Sequence, residues 1–87
     1  MNEKSLSSLA QLPIGVEANV VSIDGRHSTL ARRMMEMGLV PGAPVRVVKT
    51  APFGDPLEIN VRRYNLALRR SEAQIVTVEV KGETDVR

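Results

Sequence analysis

The chain has 87 residues, a formal net charge of +2, no cysteine, and one tyrosine and one phenylalanine as its aromatic side chains. That length suits one domain near the lower limit for folding without disulfides or a structural metal, and 43% hydrophobic residues supply one modest aliphatic core. The missing cysteine removes thiol nucleophiles, zinc-thiolate sites and iron–sulfur ligation together, and no run approaches the roughly 20 apolar residues that span a bilayer.

The N-terminal residues MNEKSLSSLAQLPIG contain no apolar core of the kind a secretory signal needs, so a cytoplasmic location without direct membrane insertion is expected. Leu6, Leu9 and Leu12 recur every third residue, which predicts one helical turn before Pro13. Pro13-Ile14-Gly15 then signals a turn. From Val16 to Ile23 the chain reads as a strand. Ala18 and Val20 fall on one face, Val21 and Ile23 on the other, which implies a bulge or burial on both faces. Asp24-Gly25 ends it.

The clearest element is a helix. Ser28 or Thr29 can cap it by accepting a backbone N–H bond. Leu30, Met34 and Met37 recur at helical spacing, widened by Ala31 and Met35, while Thr29, Arg32, Arg33 and Glu36 take the wet face. Gly38 stands where a left-handed residue closes a helix, with Leu39 folding back behind it. Pro41-Gly42 suits the central pair of a type II turn.

Three alternating segments come next: Val45 and Val47; Leu57, Ile59 and Val61; Tyr64, Leu66 and Leu68. The last two predict a hairpin turning near Arg63. Ser71 and Gln74 form a small capping box for about one helical turn. Ile75 to Val80 is the final strand, before a polar tail over 81–87 that is expected to be flexible. The fold class is therefore mainly β with one or two short helices, an SH3-like barrel of about five antiparallel strands. One domain over 1–87, with its core at about 8–80, is expected.

Little in this inventory supports chemistry of its own. His27, near Asp24 and Glu36, is the lone imidazole, too few ligands for a closed metal site. The methionines of Met34-Met35-Glu36-Met37 fit flexible core filling better than soft-metal ligation. No serine has a histidine–carboxylate relay, and the dispersed glycines form no phosphate-binding loop. No enzyme activity, metal site or cofactor is expected.

Binding remains. Phe53 sits between Pro52 and Pro56 with Asp55 beside it, either a rigid aromatic anchor for a partner or a cap over one barrel mouth. Arg32, Arg33 and Glu36 offer a charged helix face to a partner. Charge is uneven: residues 26 to 70 carry Arg26, Arg32, Arg33, Arg46, Lys49, Arg62, Arg63, Arg69 and Arg70 against Glu36, Asp55 and Glu58. Such a basic stretch also keeps open an alternative, a sensor or DNA-associated domain. Against nucleic acid stand the missing helix-turn-helix pair and the scarcity of aromatics for stacking. Short strands leave a possible edge at the last strand and hence a weak homo-oligomer.

MEMGLVPG, APFGDPL and NLALRRSEA together resemble the FeoA family, small cytosolic accessory proteins of bacterial ferrous iron uptake. In that family the hairpin turn often carries glycine, so arginine at position 63 is a departure. The resemblance implies a non-catalytic partner of FeoB, a membrane transporter with a GTPase domain. The alternative keeps a family tie, because FeoA-like barrels are similar to the C-terminal SH3-like domain of metal-dependent repressors.

Overall fold

The computed structural model describes residues 5–25 and 28–80. Its strands are β1 (Ser5–Ser8), β2 (Ala18–Ile23), β3 (Pro44–Thr50), β4 (Leu57–Val61), β5 (Tyr64–Leu68) and β6 (Val76–Val80). They form one sheet in the order β1-β6-β2-β3-β4-β5, every neighbour antiparallel. A 3₁₀ turn over Leu9–Gln11 succeeds β1, α1 covers Thr29–Glu36, and α2 covers Arg70–Ala73. Alternation decides which face is buried: Val45 and Val47, with Leu57, Ile59 and Val61, all point into one aliphatic core. No polar side chain is buried among the described residues.

Two bulges adjust the pattern. The β2–β6 register shifts between Val20 and Ser22, so Val20 and Ile23 are both buried while Val21 is exposed. A second shift, between Val47 and Lys49, leaves Val48 at the surface and sets Lys49 opposite Glu58. The sheet's two edges, β1 and β5, are drawn together by the short helical elements at their C-terminal ends. The 3₁₀ turn after β1 packs on α2 after β5, and Arg70 Nη1 donates to the Ala10 carbonyl at 2.6 Å.

The helix α1 starts and stops as its side chains dictate. Ser28 Oγ accepts from the Ala31 N–H at 3.0 Å. At the other end Gly38 has φ +107. Its N–H donates to Met35 O at 3.0 Å, and the Leu39 N–H donates to Met34 O at 3.1 Å, the paired closure of a Schellman motif. Leu39 is buried behind it. Gly42 has φ +90, and Ala43 N–H donates to Val40 O at 2.9 Å, closing the type II turn.

Several expectations are corrected. The mainly β architecture stands, with six strands among the described residues in place of about five, because Ser5–Ser8 pairs with β6. The threefold leucine spacing marks only the 3₁₀ turn at Leu9–Gln11, and Leu6 lies on an exposed strand. Met37 is the C-cap of α1 and is 37% exposed, outside the core that Met34 fills. The hairpin turns at Arg62-Arg63 as expected, and the positive φ, 55°, falls on Arg62. Ser71 and Gln74 form no capping box: the helix begins one residue before Ser71, and Glu72 Oε1 accepts from the N–H of the N-cap residue Arg69 at 2.9 Å. The last strand is no edge: β1 and β2 pair on either side of it. His27 and the 81–87 tail lie outside the described residues.

Candidate docking surface

The β3–β4 connection is a tight turn. Gly54 N–H donates to Ala51 O at 2.8 Å, with Pro52 at the position where its fixed φ helps most. Ala51 N–H donates to Pro56 O at 3.0 Å, and the Asp55–Pro56 bond is cis. Phe53, third in the turn, points away from the domain and is 98% exposed. It caps no barrel mouth.

A second element holds this turn. Arg70 donates from Nε and Nη2 to the Gly54 carbonyl, at 3.2 and 3.0 Å. In return Asp55 Oδ1 accepts from the Arg70 backbone N–H at 2.9 Å, satisfying a donor that the first turn of α2 would leave orphaned. Asp55 is thus engaged within the domain. A large apolar side chain in water on a loop tied by these bonds is an anchor with little conformational freedom left to lose. Nothing in hydrophobic periodicity points to Arg70. The cue available in the sequence is only its place at the start of a helix after a strand.

Beside the loop, Ala51, Pro52, Pro56, Leu57 and Ala67 line a shallow depression of about 250 Å³. Lys49 and Glu58, an ion pair at 3.7 Å, lie on its rim. Arg32, Arg33 and Glu36 are exposed on α1 and form no ion pair among the described residues. They are not gathered around Phe53. The end of α1 abuts Val61, where a Cβ on Gly38 would lie 3.2 Å from Cγ1. The Phe53 loop joins the opposite end of β4, roughly 13 Å along the strand.

Among the described residues no three His, Cys, Asp or Glu side chains converge as a metal site. No helix among them is long and apolar enough to cross a membrane. The family model described as the FeoA domain matches residues 7–80. The chain belongs to the FeoA family. It is 38% identical over 72 residues to an Fe(2+) transport protein A/Fe(2+) transporter FeoB fusion protein of Porphyromonas gingivalis, covering 83% of this chain. The chain spans only 8% of that relative's length. Among solved structures, FeoA of Chlorobium tepidum superposes with a TM-score of 0.81 at 36% identity, covering 91% of this chain and 74% of that one. The zinc-complexed FeoA of Stenotrophomonas maltophilia gives 0.74 at 39% identity, covering 83% and 88%. That protein is described as a prokaryotic SH3 domain protein and a candidate activating factor of ferrous iron transport. The FeoA barrel of this chain is accordingly SH3-like.

Proposed function

We propose that this FeoA protein is a non-catalytic regulator of ferrous iron uptake that binds the cytoplasmic part of a FeoB transporter. The observation that carries the reading is Phe53, 98% exposed on a loop fastened by Arg70. Burying that ring in a partner pocket removes its apolar surface from water at small entropic cost. The fused FeoA and FeoB segments of the Porphyromonas gingivalis relative support the choice of partner, since fusion keeps two docking surfaces at high effective concentration. A location on the cytoplasmic side follows from this reading.

Regulation by docking requires different affinity for two states of the transporter, and no active site in the regulator. Asp55 serves the anchor from within, by holding the loop to Arg70, and the Arg32, Arg33 and Glu36 face acts as a separate second contact. Titration calorimetry with the transporter's cytoplasmic domain, with and without GTP, tests the proposal. Binding is expected in at least one nucleotide state, weakened at least tenfold by Phe53→Ala and less by Arg32→Glu/Arg33→Glu. A wild-type protein that binds the domain in neither state overturns it.

A further inference from the structure

At the far end of β4 from Phe53 lies a second surface of different chemistry. Asn60 and Arg62 point outward from β4 and its turn, and the register sets Arg46 of β3 directly opposite Asn60. With Glu17, Pro44 and Val45 they line an open depression of about 200 Å³. Neither arginine has an ion-pair partner among the described residues. The Asn60 amide is held by bonds from Nδ2 to Asn65 Oδ1 at 2.9 Å and to Tyr64 O at 3.4 Å. Arg62 itself has φ +55, a left-handed conformation that is costly for a residue with a long side chain and that glycine adopts freely. The two-residue turn between Val61 and Tyr64 demands that φ but not an arginine, and a second arginine without an ion pair among the described residues stands beside it.

We propose that this depression receives a carboxylate side chain from an acidic segment of a protein partner, forked between the Arg46 and Arg62 guanidiniums. Guanidinium planes match carboxylates through paired N–H donors, so two of them around one shallow recess select a single anionic group. The recess is smaller than the roughly 300–1,000 Å³ typical of small-molecule pockets, and it is open, which suits one projecting side chain better than a free metabolite. Glu17 also lines the recess, so two arginines and one carboxylate leave a surplus of one positive charge, which balances a single carboxylate and not a continuous run of phosphates. The inference shares with the docking reading only the premise that the partner is a protein, and it uses other residues.

The probe is a capped hexapeptide of alternating glutamate and alanine, with glutamine in place of glutamate as control, titrated into isotope-labelled protein by NMR. Saturable shifts are expected at Glu17, Arg46, Asn60 and Arg62, absent with the control and weakened about fivefold between low and high salt. Arg46→Gln and Arg62→Gly each weaken binding about fivefold or more. Arg62→Gly leaves the melting midpoint unchanged or raises it, because glycine accepts the positive φ. Peptide binding that is unaltered by Arg62→Gly, shifts centred elsewhere, or a short DNA duplex bound more tightly through the same arginines would each overturn the proposal. Titrating the transporter domain with the same variants separates the two ideas. If that domain binds wild type and the Arg46 and Arg62 variants equally while the peptide does not bind, this inference alone fails. If the peptide binds and the domain does not, the transporter reading fails instead.

Discussion

The Arg70 guanidinium and the Ala10 carbonyl meet at 2.6 Å across sixty residues of sequence, and this bond joins the two open edges of the sheet. The same side chain also holds Gly54. One residue therefore closes the barrel and fixes the loop that presents Phe53. Charged hydrogen bonds of this kind contribute about 1.5–3 kcal/mol, and those partly exposed to water fall at the low end. Arg70→Ala is expected to lower stability by about 2 kcal/mol, read from a shifted urea midpoint at unchanged slope. Faster amide exchange at Gly54 and Asp55 would accompany it. Arg70→Lys restores less than half, since a compact ammonium lacks the spread planar donors with which the guanidinium reaches both carbonyls. A variant as stable as wild type would show that the edges close without this bond.

Gly38 combines two constraints: φ of +107 and a Cβ position 3.2 Å from Val61 Cγ1. Alanine there strains the backbone and presses on the core end of β4. Gly38→Ala should cost about 1–3 kcal/mol, whereas Gly42→Ala, strained at φ +90 but with nothing within 4 Å, should cost less. Thermal unfolding of the two variants side by side separates steric crowding from the shared conformational penalty.

The parts of this fold legible in the sequence are those governed by local periodicity and turn chemistry. Ser28, Gly38, Pro41 and Gly42 act within a few residues of themselves, and Leu57, Ile59 and Val61 alternate without interruption. What escapes is non-local. The strand character of Ser5–Ser8 comes from pairing with β6, some seventy residues on, and no property of those four residues demands it. The start of α2 at Arg70 is set by Asp55 from another loop. Of the candidate site, the loop that carries Phe53 is tied at Gly54 by Arg70, a residue from another element, which spacing alone does not encode.

Met34 and Met37 lie on one helical face by spacing, yet they differ in environment. Met34 is fully buried and Met37 is 37% exposed at the helix end. Met34→Ala is expected to cost about 2–4 kcal/mol through lost burial and the cavity left behind. Met37→Ala should stay within about 1 kcal/mol, since much of its surface already meets water. Equal losses in chemical denaturation would mean that the last turn of α1 packs more deeply than its exposure indicates.

Phe53→Ala tests whether the ring serves the fold at all. A side chain 98% exposed removes almost no apolar surface from water on folding, so truncating it forfeits almost no burial. Stability should change by less than about 0.5 kcal/mol, as for other surface substitutions, and the Arg70–Gly54 bonds use backbone that alanine leaves in place. Solubility should rise, because the exposed ring is the most accessible apolar group among the described residues. A melting midpoint lowered by more than a few degrees would reveal a structural role. It would also remove this substitution as a clean probe of docking. An unchanged midpoint lets any loss of partner binding be assigned to the missing ring itself.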